Sequence, residues 1–182
     1  MPLYMLITLG VFWLLWCLPF VLMKKNRSGP KTVDRRARWG ILLAAISYAL
    51  VTQPRFWQLP VAEWRFALGV AVLILAVLLS WTGTRALGRQ WRIDAGLNPD
   101  HELVMAGPYR IVRHPIYSSM LWLLLGTGFV VTKWWMLAIA LPIFIVGTEI
   151  RVRIEEGLLA SQFGENFQEY KRRTSAYIPL IR

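Results

Sequence analysis

Long apolar runs without a charged side chain are the feature that most constrains the fold of this chain. Residues 3–23 form a run of 21 such residues, and about 20 are enough for a helix to cross the ~30 Å hydrocarbon core of a bilayer. Residues 66–84 form a second clean run of 19 residues, bracketed by Arg65 and Arg85. Each run is predicted to be a membrane-spanning helix.

Two other apolar regions are less regular. Residues 39–53 would cover only ~22 Å as a helix, so this span requires Arg38 to extend its charged group toward the membrane surface. Residues 116–148 are interrupted only by Lys133, which predicts a tight connection at 132–135 between two short helices. Five spans are therefore expected.

The distribution of Lys and Arg predicts the orientation. Segments 24–38, 85–113 and 151–182 carry seven, five and six of these residues, whereas Arg55, Arg65 and Lys133 lie in the other connections. Basic residues accumulate on the cytoplasmic side of membrane proteins. Five spans with the N-terminus outside and the C-terminus inside place all three basic segments in the cytoplasm.

This topology also explains the composition. The chain has a formal charge of +11, yet 56% of its residues are hydrophobic, above the roughly 45–50% of soluble domains. Anionic lipid headgroups account for the basic excess, so we expect no nucleic-acid partner. The single cysteine, Cys17, excludes an intrachain disulfide and a cysteine-based metal site.

The expected fold is therefore an all-α, integral membrane helical bundle of about five transmembrane helices, formed by one domain, 1–182. Its predicted parts are three N-terminal spans (1–84), a cytoplasmic cofactor-binding loop (85–115), a helical hairpin (116–148) and a cytoplasmic C-terminal helix and tail (149–182). The two cytoplasmic segments are longer than a minimal bundle needs, so function is expected there.

The segment 113–117, Arg-His-Pro-Ile-Tyr, allows two interpretations. It is an ordinary helix start with proline in the first turn, or it is a site where His114, Tyr117 and first-turn N–H groups bind a polar ligand. His101 alone is a weaker signal. Because two histidines without cysteine or clustered carboxylates do not make a zinc site, no metal is expected.

The segment that follows residue 148 also allows two interpretations. If the helix continues, Arg151 and Glu155 lie one turn apart on one face, which is either a weak surface ion pair or part of a site. Carboxylates at the end of an apolar helix are costly unless they are paired or liganded, which favours the site. A stripe at helical spacing is expected to pack against the bundle or the interface and consists of Leu159, Phe163, Phe167 and Tyr170.

Together, the two segments resemble the isoprenylcysteine carboxyl methyltransferase family and the related membrane phospholipid methyltransferases. The similarity runs from about residue 87 to residue 179. The order and spacing of the blocks, rather than any one block, make it specific. The blocks are Leu87-Gly88-Arg89-Gln90-Trp91, His101-Glu102-Leu103-Val104, Gly107-Pro108-Tyr109-Arg110, Arg113-His114-Pro115-Ile116-Tyr117, Glu155-Glu156, Phe163-Gly164-Glu165 and Glu169-Tyr170.

The resemblance implies a methyltransferase that uses S-adenosyl-L-methionine and releases S-adenosyl-L-homocysteine. It implies that Arg151 contacts the methyl acceptor and that Glu155 takes part in both catalysis and cofactor binding. Two positions depart from the family: Asp94 replaces a glutamine of the isoprenylcysteine enzymes, and Ser119 replaces a frequent glycine. The cofactor-binding positions implied are His101, Glu102, Leu103, Val104, Tyr109, His114, Pro115, Ile116, Tyr117, Glu155 and Glu156.

The expected function is methyl transfer to a lipophilic acceptor at the cytoplasmic face of a bacterial or archaeal cytoplasmic membrane, most like carboxyl O-methylation of an isoprenylcysteine. Alternatives within the class are phospholipid N-methylation and S-methylation of a small thiol. More remote alternatives are a sterol-reductase-like NADPH oxidoreductase and a non-enzymatic membrane protein. The expected partners are the lipid bilayer and a lipophilic or small methyl acceptor.

Overall fold

The protein is an all-α bundle in its computed structural model, which describes residues 1–23, 32–92, 95–97 and 101–178. A short antiparallel ladder joins β1 (Thr32–Val33) to β2 (Gly96–Leu97). Single 3₁₀ turns cover Pro54–Phe56, Gly88–Gln90 and Gly107–Arg110. The α-helices within these ranges are α1 (Leu3–Leu22), α2 (Ala37–Thr52), α3 (Glu63–Leu87), α4 (Pro115–Val131), α5 (Trp134–Phe163) and α6 (Glu165–Arg173).

Three of these helices are long and apolar enough to cross a membrane, namely α1, α3 together with its terminal 3₁₀ turn, and α5. The other two apolar helices, α2 and α4, are shorter, at 16 and 17 residues. The expected number of five spans therefore stays a prediction for α2 and α4. Many large apolar side chains on the outside of the bundle are exposed, such as Leu3 and Leu14 on α1, as a lipid-facing surface requires.

The helix boundaries have local causes. Pro115 begins α4, where its fixed φ suits the first helical position, and residues 132–133 form the tight connection to α5. The sequence predicted two short helices around this connection, but α5 is long: it includes Pro142 and has 30 residues. It ends at Gly164, whose φ of +51° favours glycine. The expected stripe from Leu159 to Tyr170 is thus divided between α5 and α6.

Close helix crossings hold the bundle together. α3 packs along α4 and α2 packs along α5. At the second crossing the backbones nearly touch, since a Cβ built on Gly40 would lie 2.4 Å from the carbonyl oxygen of Gly147. Two buried clusters fill the interior. One includes Leu73, Leu123 and Val130, and the other includes Val51, Leu124 and Phe144.

The two ends of the bundle carry different connections. At one end the Lys133 N–H donates to the Phe56 carbonyl at 2.8 Å, and the guanidinium of buried Arg65 lies 4.7 Å from the Trp134 ring. At the other end the β1–β2 ladder joins segments 24–38 and 85–113, and the Arg113 N–H donates to the Ser175 carbonyl at 2.8 Å. The described parts of the three basic segments therefore meet at one end.

Candidate functional site

A cavity of about 720 Å³ opens at the end of the bundle where the basic segments meet. Its polar end lies between the segment 101–117 and the part of α5 that follows residue 147. Its other end reaches between α1 and α2. The polar residues that line it include Arg92, His101, Tyr109, Arg113, His114, Tyr117, Thr148, Arg151 and Glu155.

The C-terminal segment fixes the start of α4. Besides the Arg113–Ser175 bond, the His114 N–H donates to the Ala176 carbonyl at 3.0 Å, and the Ser118 hydroxyl donates to the Tyr177 carbonyl at 2.6 Å. These contacts hold the first turn of α4 in place, so His114 and Tyr117 face the cavity on a rigid support.

Tyr117, Arg151 and Glu155 form a connected polar group. The Arg151 Nε–H donates to the Tyr117 hydroxyl oxygen at 2.6 Å, and the Tyr117 hydroxyl donates to Glu155. Arg151 Nη2 lies 3.3 Å from Glu155 Oε1, one helical turn away. Glu155 Oε2 also lies 3.8 Å from His114 Nδ1. Acceptor and cofactor candidates are thus part of one network.

His101 and Tyr109 line the cavity from the loop between α3 and α4. Burial, together with the nearby charge of Arg92, lowers the pKa of His101 below its ordinary value, so its ring is neutral at pH 7. Its Nδ1 is buried and has no hydrogen-bond partner among the described residues. Burial raises the pKa of Tyr109, and the Tyr170 hydroxyl donates to the Tyr109 carbonyl at 2.7 Å.

Several residues implied by the resemblance lie away from the cavity lining. Glu102 is exposed, Leu103 and Val104 are half-buried, and none of the three lines the cavity, whereas Ile116 does. Pro115 is buried against α3, where its ring lies 3.6 Å from a Cβ built on Gly83. Asp94 lies outside the described residues.

Glu156 faces away from the cavity, unlike its neighbour Glu155. Its carboxylate lies 2.8 Å from Arg113 Nη2 and 2.6 Å from Lys171 Nζ, and only 8% of its side chain is exposed. Arg113 also donates to the carbonyls of Lys171 and Thr174. We call Arg113, Glu156 and Lys171 the C-terminal latch, because they join the start of α4, α5 and α6. The contacts of Glu156 therefore fit a role in joining these helices, and not a contact with a ligand in the cavity.

The apolar end of the cavity was not expected from the sequence. Its side chains come from α1 and α2, where an apolar face toward a cavity has the same pattern as one toward lipid. One usable signal was the tryptophans, whose N–H groups need partners. Trp13 donates to the Thr127 hydroxyl at 3.2 Å and Trp16 to the Ser119 hydroxyl at 3.1 Å. This end is lined by Trp13, Trp16, Cys17, Phe20, Val21, Ile41, Ala44, Ala45 and Tyr48.

The sequence profile of one protein family, described as phospholipid methyltransferase, matches residues 64–166. This match includes nearly all of α3, the loop between α3 and α4, α4 and all of α5, and so most of the cavity's polar end. The chain belongs to the phospholipid methyltransferase family. This confirms the family suggested by the motifs, and family membership supports an enzyme that transfers a methyl group.

Individual relatives are more distant. The chain is 29% identical over 151 residues to the nickel-cobalt-cadmium resistance protein NccN of Alcaligenes xylosoxydans xylosoxydans, covering 82% of this chain and 67% of that one. It is 32% identical over 113 residues to the cobalt-zinc-cadmium resistance protein CzcN of Cupriavidus metallidurans, covering 62% and 52%. It is 27% identical over 125 residues to the protein-S-isoprenylcysteine O-methyltransferase of Tribolium castaneum, covering 65% and 43%.

A solved structure shares the fold. The eukaryotic intramembrane Ras methyltransferase ICMT (isoprenylcysteine carboxyl methyltransferase) superimposes with a TM-score of 0.56 at 19% identity, over 96% of this chain and 63% of that chain. The chain thus spans roughly two thirds or less of the relatives that it matches, and their complete activities are not shown for it.

Proposed function

We propose that this protein is an integral membrane methyltransferase that uses S-adenosyl-L-methionine to methylate a carboxylate on a lipophilic acceptor. The observation that carries the proposal is the composition of the 720 Å³ cavity. One end holds ionisable groups at the basic end of the bundle, and the other end is aromatic and apolar. Such a cavity suits a polar cofactor from the cytosol and an acceptor from the bilayer.

The residues present fit the cofactor. The cavity volume lies within the ~300–1,000 Å³ that is usual for ligand sites. Glu155 offers a carboxylate to the positively charged sulfonium or amino group, and the buried Nδ1 of His101 offers a hydrogen-bonding position that no described protein group fills. When bound, S-adenosyl-L-methionine supplies the electrophilic methyl group.

Arg151 is the group best suited to hold the acceptor. It lines the cavity, only 7% of its surface is exposed, and a planar guanidinium binds a carboxylate in a bidentate way. Methyl transfer is an in-line displacement that needs the acceptor oxygen ~3–3.5 Å from the methyl carbon, with water excluded. Because a carboxylate is already deprotonated at pH 7, this reaction needs no general base.

A phospholipid amine is the second candidate acceptor, and the family description favours it. An amine must lose a proton before or during attack, and His114, close to Glu155, is placed to accept one.

The cytoplasmic face is proposed on electrostatic grounds. The described parts of the three basic segments lie at the end of the bundle where the polar end of the cavity opens, and the positive-inside rule assigns that end to the cytoplasm. The localisation proposed is therefore a bacterial or archaeal cytoplasmic membrane with the site on its inner side.

Methyl transfer from radiolabelled S-adenosyl-L-methionine tests the acceptor class. Purified protein is given N-acetyl-S-farnesylcysteine as a carboxylate acceptor or phosphatidylethanolamine as an amine acceptor. Base treatment releases labelled methanol from a methyl ester but not from an N-methyl product. We expect base-labile product from the carboxylate, and base-stable product alone would favour the amine.

The same assay tests Arg151. Arg151→Lys keeps the charge but loses the bidentate geometry, so we expect turnover of the carboxylate to fall roughly 10–100-fold, equal to ~1.4–2.8 kcal/mol in the transition state. Binding of S-adenosyl-L-homocysteine should stay within about twofold. Near-normal turnover would refute the role of Arg151 in holding the acceptor. Loss of S-adenosyl-L-homocysteine binding would instead assign Arg151 to the cofactor site.

A further inference from the structure

Residues that recur along α1 and α2 line the apolar end of the cavity. On α2, Ile41, Ala45 and Tyr48 recur at helical spacing and face the cavity, and Trp13 and Cys17 do so on α1. Ala45 has an exposed side chain although it lies on a helix within the bundle. α1 and α2 therefore stand apart here and leave space between them.

Trp13 and Tyr48 are the lining residues of α1 and α2 that lie furthest from the basic end of the bundle, and their rings meet there. Their centroids lie 5.2 Å apart in an edge-to-face arrangement. The Tyr48 hydroxyl donates to the Met120 carbonyl at 2.7 Å, and the Trp13 N–H donates to the Thr127 hydroxyl on the same helix, α4. The Tyr48 ring also packs edge-on against Phe144, 6.0 Å away. We call the Trp13–Tyr48 pair the aromatic floor.

The depth of this space follows from the helix rise. Gly40 lies against the side chain of Arg151, because a Cβ built on it would be 2.6 Å from Arg151 Cγ. Tyr48 is eight residues further along α2, which is roughly 12 Å at ~1.5 Å per residue. A chain that extends from an acceptor group at Arg151 along α2 meets the floor at about that distance.

We propose that the aromatic floor sets the length of the apolar chain on the methyl acceptor. The inference rests on the proposed function, and it makes the acceptor an amphiphile with one hydrocarbon chain of limited length. A shorter chain leaves part of the space unfilled. A longer chain meets rings that two hydrogen bonds hold in place, so it has to bend or leave sideways between α1 and α2.

A series of S-alkyl N-acetylcysteines with chains from octyl to octadecyl tests this. Methyl transfer and equilibrium binding are measured for each compound in one detergent. The wild type should show a maximum at an intermediate length and at least about a tenfold loss for octadecyl. Trp13→Ala and Tyr48→Ala should move the maximum to longer chains, and Ala45→Leu to shorter ones.

A matched variant elsewhere in the bundle serves as the control. Trp81→Ala removes a tryptophan that also hydrogen-bonds across helices, to the Leu15 carbonyl at 2.9 Å, but does not line the cavity, so the maximum should stay unchanged. Binding of S-adenosyl-L-homocysteine reports whether each variant is folded.

The outcomes separate this inference from the proposed function. Methylation that does not depend on chain length, or the same maximum in wild type, Trp13→Ala and Ala45→Leu, overturns the floor and leaves the methyltransferase intact. Binding with the expected maximum and shifts, but without methylation of any compound, supports the floor and refutes the carboxylate acceptor.

Discussion

Glu155 and Glu156 show that a shift of one position along a helix changes what a side chain contacts. They are adjacent in sequence, yet Glu155 lines the cavity and Glu156 forms the C-terminal latch. Successive residues on an α-helix point about 100° apart. The sequence motif contains both, and only the rotation of α5 within the bundle distinguishes them.

This difference predicts opposite effects of one substitution. Glu155→Gln should weaken binding of S-adenosyl-L-methionine at least about tenfold, or ~1.4 kcal/mol, with little change in Tm. Glu156→Gln should lower Tm by several degrees, because it leaves the buried Arg113 without its counter-charge, while binding stays within about twofold. Calorimetry of the two purified variants measures both quantities, and weakened binding with an unchanged Tm in Glu156→Gln would contradict the latch.

His101 predicts a pH dependence. Its pKa is lowered in the folded state, so the unfolded chain takes up a proton first as pH falls below the ordinary value of ~6.5. The stability associated with the neutral ring is therefore present above that pH and is lost on acidification. Between pH 7.5 and 5.5 the Tm of the wild type should fall more than that of His101→Gln. Equal decreases in the two proteins would show that His101 is not responsible.

At the scale of helices, hydropathy located the apolar cores of the elements but not their ends. α5 continues well beyond the apolar run that stops at Thr148, because backbone hydrogen bonding does not require an apolar environment. The break at Gly164 depends on backbone conformation, which a stripe of apolar residues does not reveal. The connection at 132–133, marked by Lys133, agrees with the sequence prediction.

The crossing of α2 and α5 predicts a role for Gly40. A Cβ at this position would lie too close to the Gly147 carbonyl and to the Arg151 side chain, so Gly40→Ala should lower Tm and reduce turnover by displacing Arg151. Gly157→Ala is the control, since a Cβ on Gly157, also in α5, meets nothing within 4 Å and alanine favours a helix. Its Tm should equal or exceed that of the wild type. A Gly40→Ala protein with normal Tm and turnover would refute the close crossing.

At the scale of the whole molecule, the sequence already indicated which segments belong together. The basic residues placed segments 24–38, 85–113 and 151–182 on one side of the membrane. The β1–β2 ladder and the Arg113–Ser175 bond bring the described parts of these segments together. The apolar half of the cavity could not be predicted, because it depends on a gap between α1 and α2 that no local pattern encodes.

The orientation predicts accessibility from the two sides of the membrane. In a Cys17→Ala background, single cysteines at Arg110 and Arg172, both exposed at the basic end, should react with a membrane-impermeant maleimide only from the cytoplasm. A cysteine at Gln58, exposed at the other end, should react only from outside. Reaction of Gln58→Cys and Arg172→Cys from the same side would exclude the five-span topology.

Equilibrium binding of radiolabelled S-adenosyl-L-methionine to the purified protein tests the central claim most directly, because every proposed role depends on this cofactor occupying the cavity. We predict saturable binding that S-adenosyl-L-homocysteine displaces and NADPH does not. The Glu155→Gln variant should bind at least about tenfold more weakly. Saturable binding of NADPH without binding of S-adenosyl-L-methionine, or equal affinity in wild type and Glu155→Gln, would contradict the account.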